Sequence, residues 1–217
     1  MALVNHDSRE IQFKIVYCGA PECGKTTNLH YIFRQLDPRW RGDMVTVATE
    51  QNRTISFDFL PVHSTRIAGY ETKFQLYTVP GQDVMRETRK SVLAGVDGIV
   101  FVADSSPGRF EPSVRSYHDC RQELSEIAID PRRIPIAFQF NKRDAHRATP
   151  PVAFDEAFNV SSPSFLSCAV SGYQVFATLD WLTQRVLKGF HASNTRRSES
   201  RIGVEGKLSP ASLEPSY

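Results

Sequence analysis

The chain has 217 residues, of which 41% are hydrophobic and 23% charged, and this is the balance of one ordinary globular domain with a full apolar core. Its formal net charge of +2 gives no basis for a nucleic-acid partner, and we expect none. No apolar run approaches the length that spans a membrane, which argues against an integral membrane protein.

The two chain ends and the cysteines favour a cytoplasmic protein. The first residues lack the apolar core of a signal peptide, and Ala2 offers no glycine for myristoylation. The last residues contain no prenylation motif, so we expect no direct lipid anchor. The four cysteines form neither a CxxC pair nor a zinc-binding spacing and are expected to be free thiols in a reducing compartment: Cys18, Cys23, Cys120 and Cys168.

The first predicted elements are a strand, a glycine-rich loop and a helix. Residues 11–18 are apolar and β-branched, as in a buried strand, and residues 27–36 carry apolar side chains at helical spacing. Between them, residues 19–26 read Gly-Ala-Pro-Glu-Cys-Gly-Lys-Thr and fit the P-loop pattern GxxxxGK[ST] at every fixed position. This order of elements is the context in which the motif is credible.

The residue types of this loop suit phosphate binding. Its glycines let several backbone N–H groups point at one anion, and the following helix adds the positive end of its dipole. Lys25 can reach the β- and γ-phosphates of a nucleotide, and the Thr26 hydroxyl can coordinate Mg²⁺. A chance match in a structural turn is the alternative, and the flanking elements argue against it. The predicted phosphate-binding residues are Gly19, Ala20, Pro21, Glu22, Cys23, Gly24, Lys25, Thr26 and Thr27.

The next part of the chain predicts a hairpin. Residues 38–50 are rich in polar and small side chains and are expected to form a mobile connection. Residues 54–60 and 70–79 alternate apolar and polar side chains, so we expect them to pair as an antiparallel hairpin at the sheet edge. Residues 80–82 then break the chain before a polar helix over 84–93.

The second half of the chain alternates buried strands with helices. Strands are predicted over 98–104, 134–140 and 164–169, and helices over 112–129, 151–159 and 172–191. The whole pattern predicts an α/β fold with a doubly wound, mainly parallel sheet of six to seven strands and an antiparallel edge hairpin, which binds ligands at the carboxyl ends of its strands. We assign residues 1–191 to one domain and expect 192–217 to be a disordered tail, with folding on a partner as the alternative.

A second motif selects the base. Residues 141–144 read Asn-Lys-Arg-Asp and directly follow a buried strand. The Asp144 carboxylate can accept hydrogen bonds from guanine N1–H and the exocyclic amine, which adenine cannot supply, so adenine would leave the carboxylate unpaired. Asn141 would bond the ring edge and tie to the P-loop, the Lys142 stem would cover the base, and the Ala169 N–H could meet guanine O6. A solvated polar turn is the alternative, and the upstream P-loop disfavours it.

With these elements in order, the chain resembles the Ras-like small GTPases and, more closely, the bacterial MglA group, over residues from about Ser8 to about Leu187. The likeness is carried by residues 8–11, 14–17, 23–29, 53–54, 57–61, 76–82, 95–98, 101–105 and 141–144. It implies the small G-protein form of the P-loop NTPase fold and a GTP/GDP switch that requires Mg²⁺, has slow intrinsic GTP hydrolysis and acts in cell polarity or gliding-type motility. It also implies a homodimeric roadblock-fold activator of the MglB type and downstream effectors.

The resemblance assigns catalytic and metal-binding roles as well. It implies that Arg53 is an arginine finger supplied in cis, and Gln82 is the candidate for orienting the attacking water. Thr54 and the Gly81 N–H would contact Mg²⁺ and the γ-phosphate respectively. Thr78 stands where Ras-like proteins have an aspartate that holds Mg²⁺ through water. Its hydroxyl can still orient a water but lacks the charge, so Thr78 is a candidate for holding Mg²⁺ through water.

Both catalytic assignments have a non-catalytic alternative. Arg53 could be an ordinary surface arginine, and Gln82 could be an ordinary polar loop residue. Thr78 also motivates a rival function, a nucleotide-locked GTP-binding scaffold with negligible hydrolysis. A P-loop ATPase or kinase is a weaker rival.

Overall fold

The computed structural model describes residues 2–47, 57–67, 69–82, 85–160 and 162–205. The chain divides into two compact units, Met1–Val186 and Leu187–Tyr217. The first unit carries the sheet, and the second consists, among its described residues, of the continuation of the last helix. Within the described part of the chain, no helix is both long and apolar enough to cross a membrane.

The described residues form one sheet of eight strands. They are β1 Leu3–Asn5, β2 Glu10–Cys18, β3 Val45–Val47, β4 Phe57–Ile67, β5 Tyr70–Thr78, β6 Gly98–Asp104, β7 Ile136–Asn141 and β8 Ser164–Leu166. The order is β3-β4-β5-β2-β6-β7-β8, with β1 paired to the start of β2. The five strands from β5 to β8 run parallel, whereas β4 is antiparallel to both β3 and β5.

The helices cover both faces of this sheet. They are α1 Lys25–Gln35, α2 Arg86–Leu93, α3 Phe110–Glu126, α4 Pro151–Phe158 and α5 Val175–Glu205, with a 3₁₀ turn at Pro38–Trp40. Apolar side chains of α2, α3 and α4 share one core with the even-numbered side of β2. Helix α1 and the start of α5 lie on the opposite face. There the Gln139 side chain of β7 forms hydrogen bonds with Asn28 of α1 and Thr178 of α5. This two-sided covering explains why β6 is buried along its whole length.

An aromatic cluster fixes the central strands against α3 and α4. The ring of Phe158 lies 5.3 Å from Phe101, 4.8 Å from Tyr117 and 5.6 Å from Phe138, measured between centroids. Aromatic pairs at these separations add attraction beyond the burial of their area. The cluster therefore holds in place the strands β6 and β7, whose carboxyl ends carry polar side chains.

The predicted fold class is confirmed, and so is the antiparallel hairpin, which is formed by β4 and β5. The path of the sheet has seven strands, as predicted, with β1 paired beside it; the short strands β1 and β3 were not assigned from the sequence. Each has three residues, which is too short for a side-chain period to show.

The last helix is longer than the sequence predicted. It ends at Glu205 rather than near residue 191, so residues 192–205 are helical although we expected an irregular tail. No proline interrupts this stretch, so the backbone hydrogen bonds of the helix can continue through it. The domain boundary at 191 stays a prediction, and residues 206–217 lie outside the described residues.

Candidate functional site

The carboxyl ends of four neighbouring strands meet at one edge of the sheet. The P-loop follows β2, and Gly81 comes three residues after the end of β5. Asp104 ends β6 and Asn141 ends β7. In a doubly wound sheet this edge is where ligands bind, and it collects most of the residues that the sequence singled out.

Three glycines let backbone segments approach one another here. Gly19 has φ +141° and Gly24 has φ +106°, and a Cβ on either would lie 2.2 Å from Val102 O or Asn141 Nδ2 respectively. A Cβ on Gly81 would lie 2.4 Å from the Pro21 nitrogen. The P-loop is therefore packed against β6, against Asn141 and against the segment that follows β5, with no room for a side chain at these points.

Lys25 places a positive charge inside the P-loop. Its side chain is buried, and its ammonium donates to the carbonyl oxygens of Gly19 at 2.8 Å and Ala20 at 2.7 Å. The ammonium also lies 3.7 Å from Cys23 Sγ. Because α1 begins at Lys25, the N-terminal amides of the helix face the same loop. This arrangement of charge and amide groups suits a multiply charged anion.

Asn141 joins three loops through one side chain. Its amide is buried, and Nδ2 donates to Cys23 O of the P-loop at 2.8 Å. Its Oδ1 accepts from the Ala169 N–H at 2.9 Å and from Ser167 Oγ at 3.3 Å. The Ala169 N–H that we expected to meet a base oxygen is thus already engaged, and a base would have to share it.

Lys142 lies beside a buried carboxylate that the sequence analysis did not single out. Its ammonium is 2.8 Å from Asp104 Oδ2, and the Asp104 side chain is only 1% exposed. Arg109 Nε approaches the same carboxylate at 3.4 Å, and the Ser106 N–H donates to it at 2.9 Å. Burial raises the pKa of the Asp104 carboxyl, but the hydrogen bonds from Lys142 and Ser106 outweigh burial, so its pKa lies below the ordinary value of 3.8.

Asp144 is exposed two residues beyond Lys142. The loop that carries it is held by Arg143, whose N–H donates to Ser167 O at 3.0 Å and whose guanidinium donates to Thr149 O at 2.6 Å. Lys142 itself has a left-handed backbone with φ +61°. The structure therefore brings Asn141, Lys142 and Asp144 to the same edge as the P-loop.

The residues that the sequence linked to hydrolysis are only partly described. Gln82 is exposed, and its backbone carbonyl accepts from Arg89 Nη1 at 2.5 Å. Thr78 ends β5 and is buried beside Tyr17 in the register of β2. Arg53 and Thr54 lie outside the described residues.

The metal-binding expectation depends on hydroxyl oxygens. Within the described ranges, no group of three His, Cys, Asp or Glu side chains could hold a metal ion. Thr26 lies in the first turn of α1, and Thr78 ends the neighbouring strand β5. Mg²⁺ prefers oxygen ligands and retains several waters, so these residue types fit it when a phosphate supplies the charge.

A cavity of about 380 Å³ adjoins the P-loop on the side of α3. Ala20 and Pro21 line it together with Gln82, Cys120 and Glu123. The sequence analysis singled out neither Arg89, Arg109 and Glu123, which also line this cavity, nor the nearby Asp104. Asp104 alone carried a usable signal, because it is an acidic residue at the end of a continuous apolar run.

Two comparisons with known proteins agree with this geometry. The model of the ADP-ribosylation factor family matches residues 2–186. The mutual gliding-motility protein MglA of Myxococcus xanthus (strain DK1622) is 43% identical to the chain over 188 residues, which cover 86% of this chain and 96% of that relative.

Proposed function

Since the chain belongs to the ADP-ribosylation factor family and is an MglA-like small GTPase, we propose that it binds guanine nucleotide with Mg²⁺, hydrolyses GTP slowly and works as a GTP/GDP switch. The observation that carries the proposal is the Asn141 side chain, which bonds to Cys23 O on one side and to the Ala169 N–H on the other. One buried amide thereby holds the phosphate-binding loop and the proposed base-binding loops in a single frame.

The base would be selected by Asp144. Its exposed carboxylate would accept hydrogen bonds from guanine N1–H and the exocyclic amine. The Lys142 stem would lie along the base, since its ammonium is fixed by Asp104 at 2.8 Å. Ala169 would contribute its N–H to O6 by sharing it with Asn141.

The phosphates would be held by the P-loop amides and by the Lys25 ammonium. In the structure that ammonium bonds to two loop carbonyls, and on nucleotide binding it would turn to the β- and γ-phosphates. The Gly81 N–H would meet the γ-phosphate, supported by the close packing of Gly81 on Pro21. Thr26 and Thr54, with Thr78 acting through water, would hold Mg²⁺, which when bound neutralises phosphate charge.

Hydrolysis would require a water and a positive charge at the γ-phosphate. Gln82 would orient the water, and Arg53 would stabilise the developing charge, a contribution on the order of 10³–10⁵ in rate for an arginine finger. Turnover would be slow until a partner completes this arrangement. We propose a homodimeric roadblock-fold activator of the MglB type as that partner, with downstream effectors that read the GTP state.

The process would be cell polarity or gliding-type motility, in the cytoplasm. This part of the proposal is supported by the similarity to a protein named for mutual gliding motility. The expectations of no direct lipid anchor and no nucleic-acid partner stay predictions.

The test is GTP turnover by the purified chain with Mg²⁺, with and without a roadblock partner. We expect slow turnover that the partner accelerates, and a loss of acceleration in Arg53→Ala and Gln82→Leu. Unchanged rates in both variants would show that Arg53 and Gln82 are not catalytic.

Asp144→Asn should shift binding from guanine toward xanthine nucleotides. The absence of such a shift would favour the ATPase or kinase alternative.

A GTP-binding scaffold with negligible hydrolysis is the second candidate, favoured by the neutral Thr78 at the end of β5. The nucleotide that copurifies with the protein separates the two. Uniform GTP would support the scaffold, and GDP would support the hydrolysing switch.

A further inference from the structure

Two layers of ion pairs connect α2 to α3. The outer layer joins Arg86 and Lys90 of α2 to Glu126, and Lys90 lies 2.9 Å from that carboxylate. The inner layer is the pair of Arg89 and Glu123. The two layers differ in burial and in what else they contact.

The inner pair is buried and bidentate. The Arg89 side chain is 11% exposed and that of Glu123 is 1% exposed. Arg89 Nε lies 3.0 Å and 3.1 Å from the two carboxylate oxygens, and Nη2 lies 2.6 Å from Oε1. A fork of this kind fixes the plane of the guanidinium as well as its position.

The remaining nitrogen of that guanidinium reaches the proposed catalytic segment. Arg89 Nη1 donates to the backbone carbonyl of Gln82 at 2.5 Å, and the Met85 N–H donates to the same oxygen at 3.1 Å. Glu123 is fixed in turn, because its neighbour Leu124 and Cys120 are buried in the core against the sheet. A continuous series of contacts therefore runs from the sheet through Glu123 and Arg89 to Gln82.

We propose that Arg89, held by Glu123, is a positioning residue that sets the backbone at Gln82 so that its side chain meets the attacking water. The inference rests on the proposed role of Gln82 in GTP hydrolysis. Arg89 itself touches neither the water nor the nucleotide in this scheme. A misplacement of about 1 Å at a catalytic group can lower a rate by about 100-fold, so a contact to the backbone carbonyl is sufficient for a large effect.

A purely structural ion pair is the competing explanation. Such a pair would stabilise the contact of α2 with α3 and would affect hydrolysis only through folding. The two explanations differ in whether the effect of Arg89 passes through Gln82.

The experiment measures single-turnover GTP hydrolysis by the full chain with Mg²⁺, together with the dissociation rate of GDP. The main variant is Arg89→Met combined with Glu123→Leu, because a buried ion pair replaced by apolar side chains of similar volume is tolerated by the fold. We expect the hydrolysis rate to fall roughly 10- to 100-fold while GDP dissociation changes by less than about twofold. Arg89→Lys keeps the positive charge but loses the two-nitrogen contact with Glu123. Its hydrolysis rate should lie between those of the parent chain and the double variant. Arg86→Met, in the outer layer, is the matched control and should leave both rates unchanged.

The same double substitution made in the Gln82→Ala background decides between the explanations. If Arg89 acts through Gln82, it should cause no further loss of rate there. An equal further loss in that background, or a full rate in the Gln82-containing variant, would overturn the positioning role. A Gln82→Ala chain that hydrolyses GTP at the normal rate would instead show that the proposed function of Gln82 is wrong, and the positioning role would be lost with it.

Discussion

At the scale of single residues, Gly24 shows how closely the P-loop and Asn141 approach. Its φ of +106° and the 2.2 Å between an added Cβ and Asn141 Nδ2 exclude a side chain for two separate reasons. The P-loop motif in the sequence is enough to predict a glycine at this position. The approach of Asn141, which lies 117 positions away, is visible only in the structure.

Gly24→Ala should both strain the backbone and displace Asn141. We expect the free energy of unfolding to fall by about 1–3 kcal/mol and GDP to dissociate faster. Gly108→Ala is the control, because Gly108 also has positive φ, +76°, but a Cβ there meets nothing within 4 Å. Urea unfolding and nucleotide dissociation measure the two effects. Equal nucleotide dissociation in both variants would contradict the displacement of Asn141.

Asp104 predicts a dependence of stability on pH. The pKa of its carboxyl in the folded chain lies below the ordinary value of 3.8, so the folded state binds this proton more weakly than the unfolded state. The carboxylate therefore stabilises the fold above that ordinary value, and the stabilisation is lost as the pH falls through the folded pKa.

The free energy of unfolding of the parent chain and of Asp104→Asn should accordingly differ most near neutral pH and converge below about pH 4. Urea unfolding from about pH 3 to about pH 7 makes the comparison. Asp7→Asn, at an exposed position, is the control and should differ from the parent by a small and constant amount. A difference in unfolding free energy that does not change with pH would show that ionisation of Asp104 does not stabilise the fold.

At the scale of elements, a buried polar chain ties α1 to β7 and to the start of α5. Gln139 Nε2 donates to Asn28 Oδ1 at 3.0 Å and lies 3.3 Å from Thr178 Oγ1. Asn28 Nδ2 in turn donates to Gly24 O at 2.9 Å. The carbonyl that begins α1 is thus supported from the central strands.

Gln139→Leu should leave the Asn28 oxygen buried and unpaired. A buried polar group without a partner costs about 1–3 kcal/mol, and we expect a loss of stability of this size in urea unfolding. Gln122→Leu, on the exposed side of α3, should change the stability by no more than about 0.5 kcal/mol. A Gln139→Leu chain as stable as the parent would show that the polar chain does not support α1.

The elements also show where sequence reasoning succeeds. Long periodic segments such as β6 and α3 were predicted within a few residues, because their side-chain patterns extend over several turns or pleats. The three-residue strands β1 and β3 carry no such pattern. The pairs of Arg89 with Glu123 and of Lys142 with Asp104 join residues 34 and 38 positions apart, and no local rule connects them.

At the scale of the whole molecule, the sheet, helices α1 to α4, the start of α5 and the described parts of the candidate site all lie within Met1–Val186. The described part of the second unit is the helical stretch after Val186. The family model matches residues 2–186, which is nearly the same extent as the first unit.

A chain that ends at residue 191 should therefore keep its nucleotide affinity. We expect the dissociation constant for GDP to change by less than about twofold, because every described residue of the candidate site lies within Met1–Val186. Isothermal titration of the full-length and shortened chains makes the comparison. A large loss of affinity on shortening would show that the second unit contributes to the site.

The bonds of Asn141 to Cys23 O and the Ala169 N–H carry a consequence for selectivity. Neither bond involves the segment around Gly81 and Gln82, so the proposed base-binding scaffold need not change when the terminal phosphoryl group leaves. Preference for guanosine over inosine should then be the same for the diphosphate and the triphosphate. Base selectivity would then be a constant of the molecule, independent of the step of the hydrolytic cycle at which it is measured.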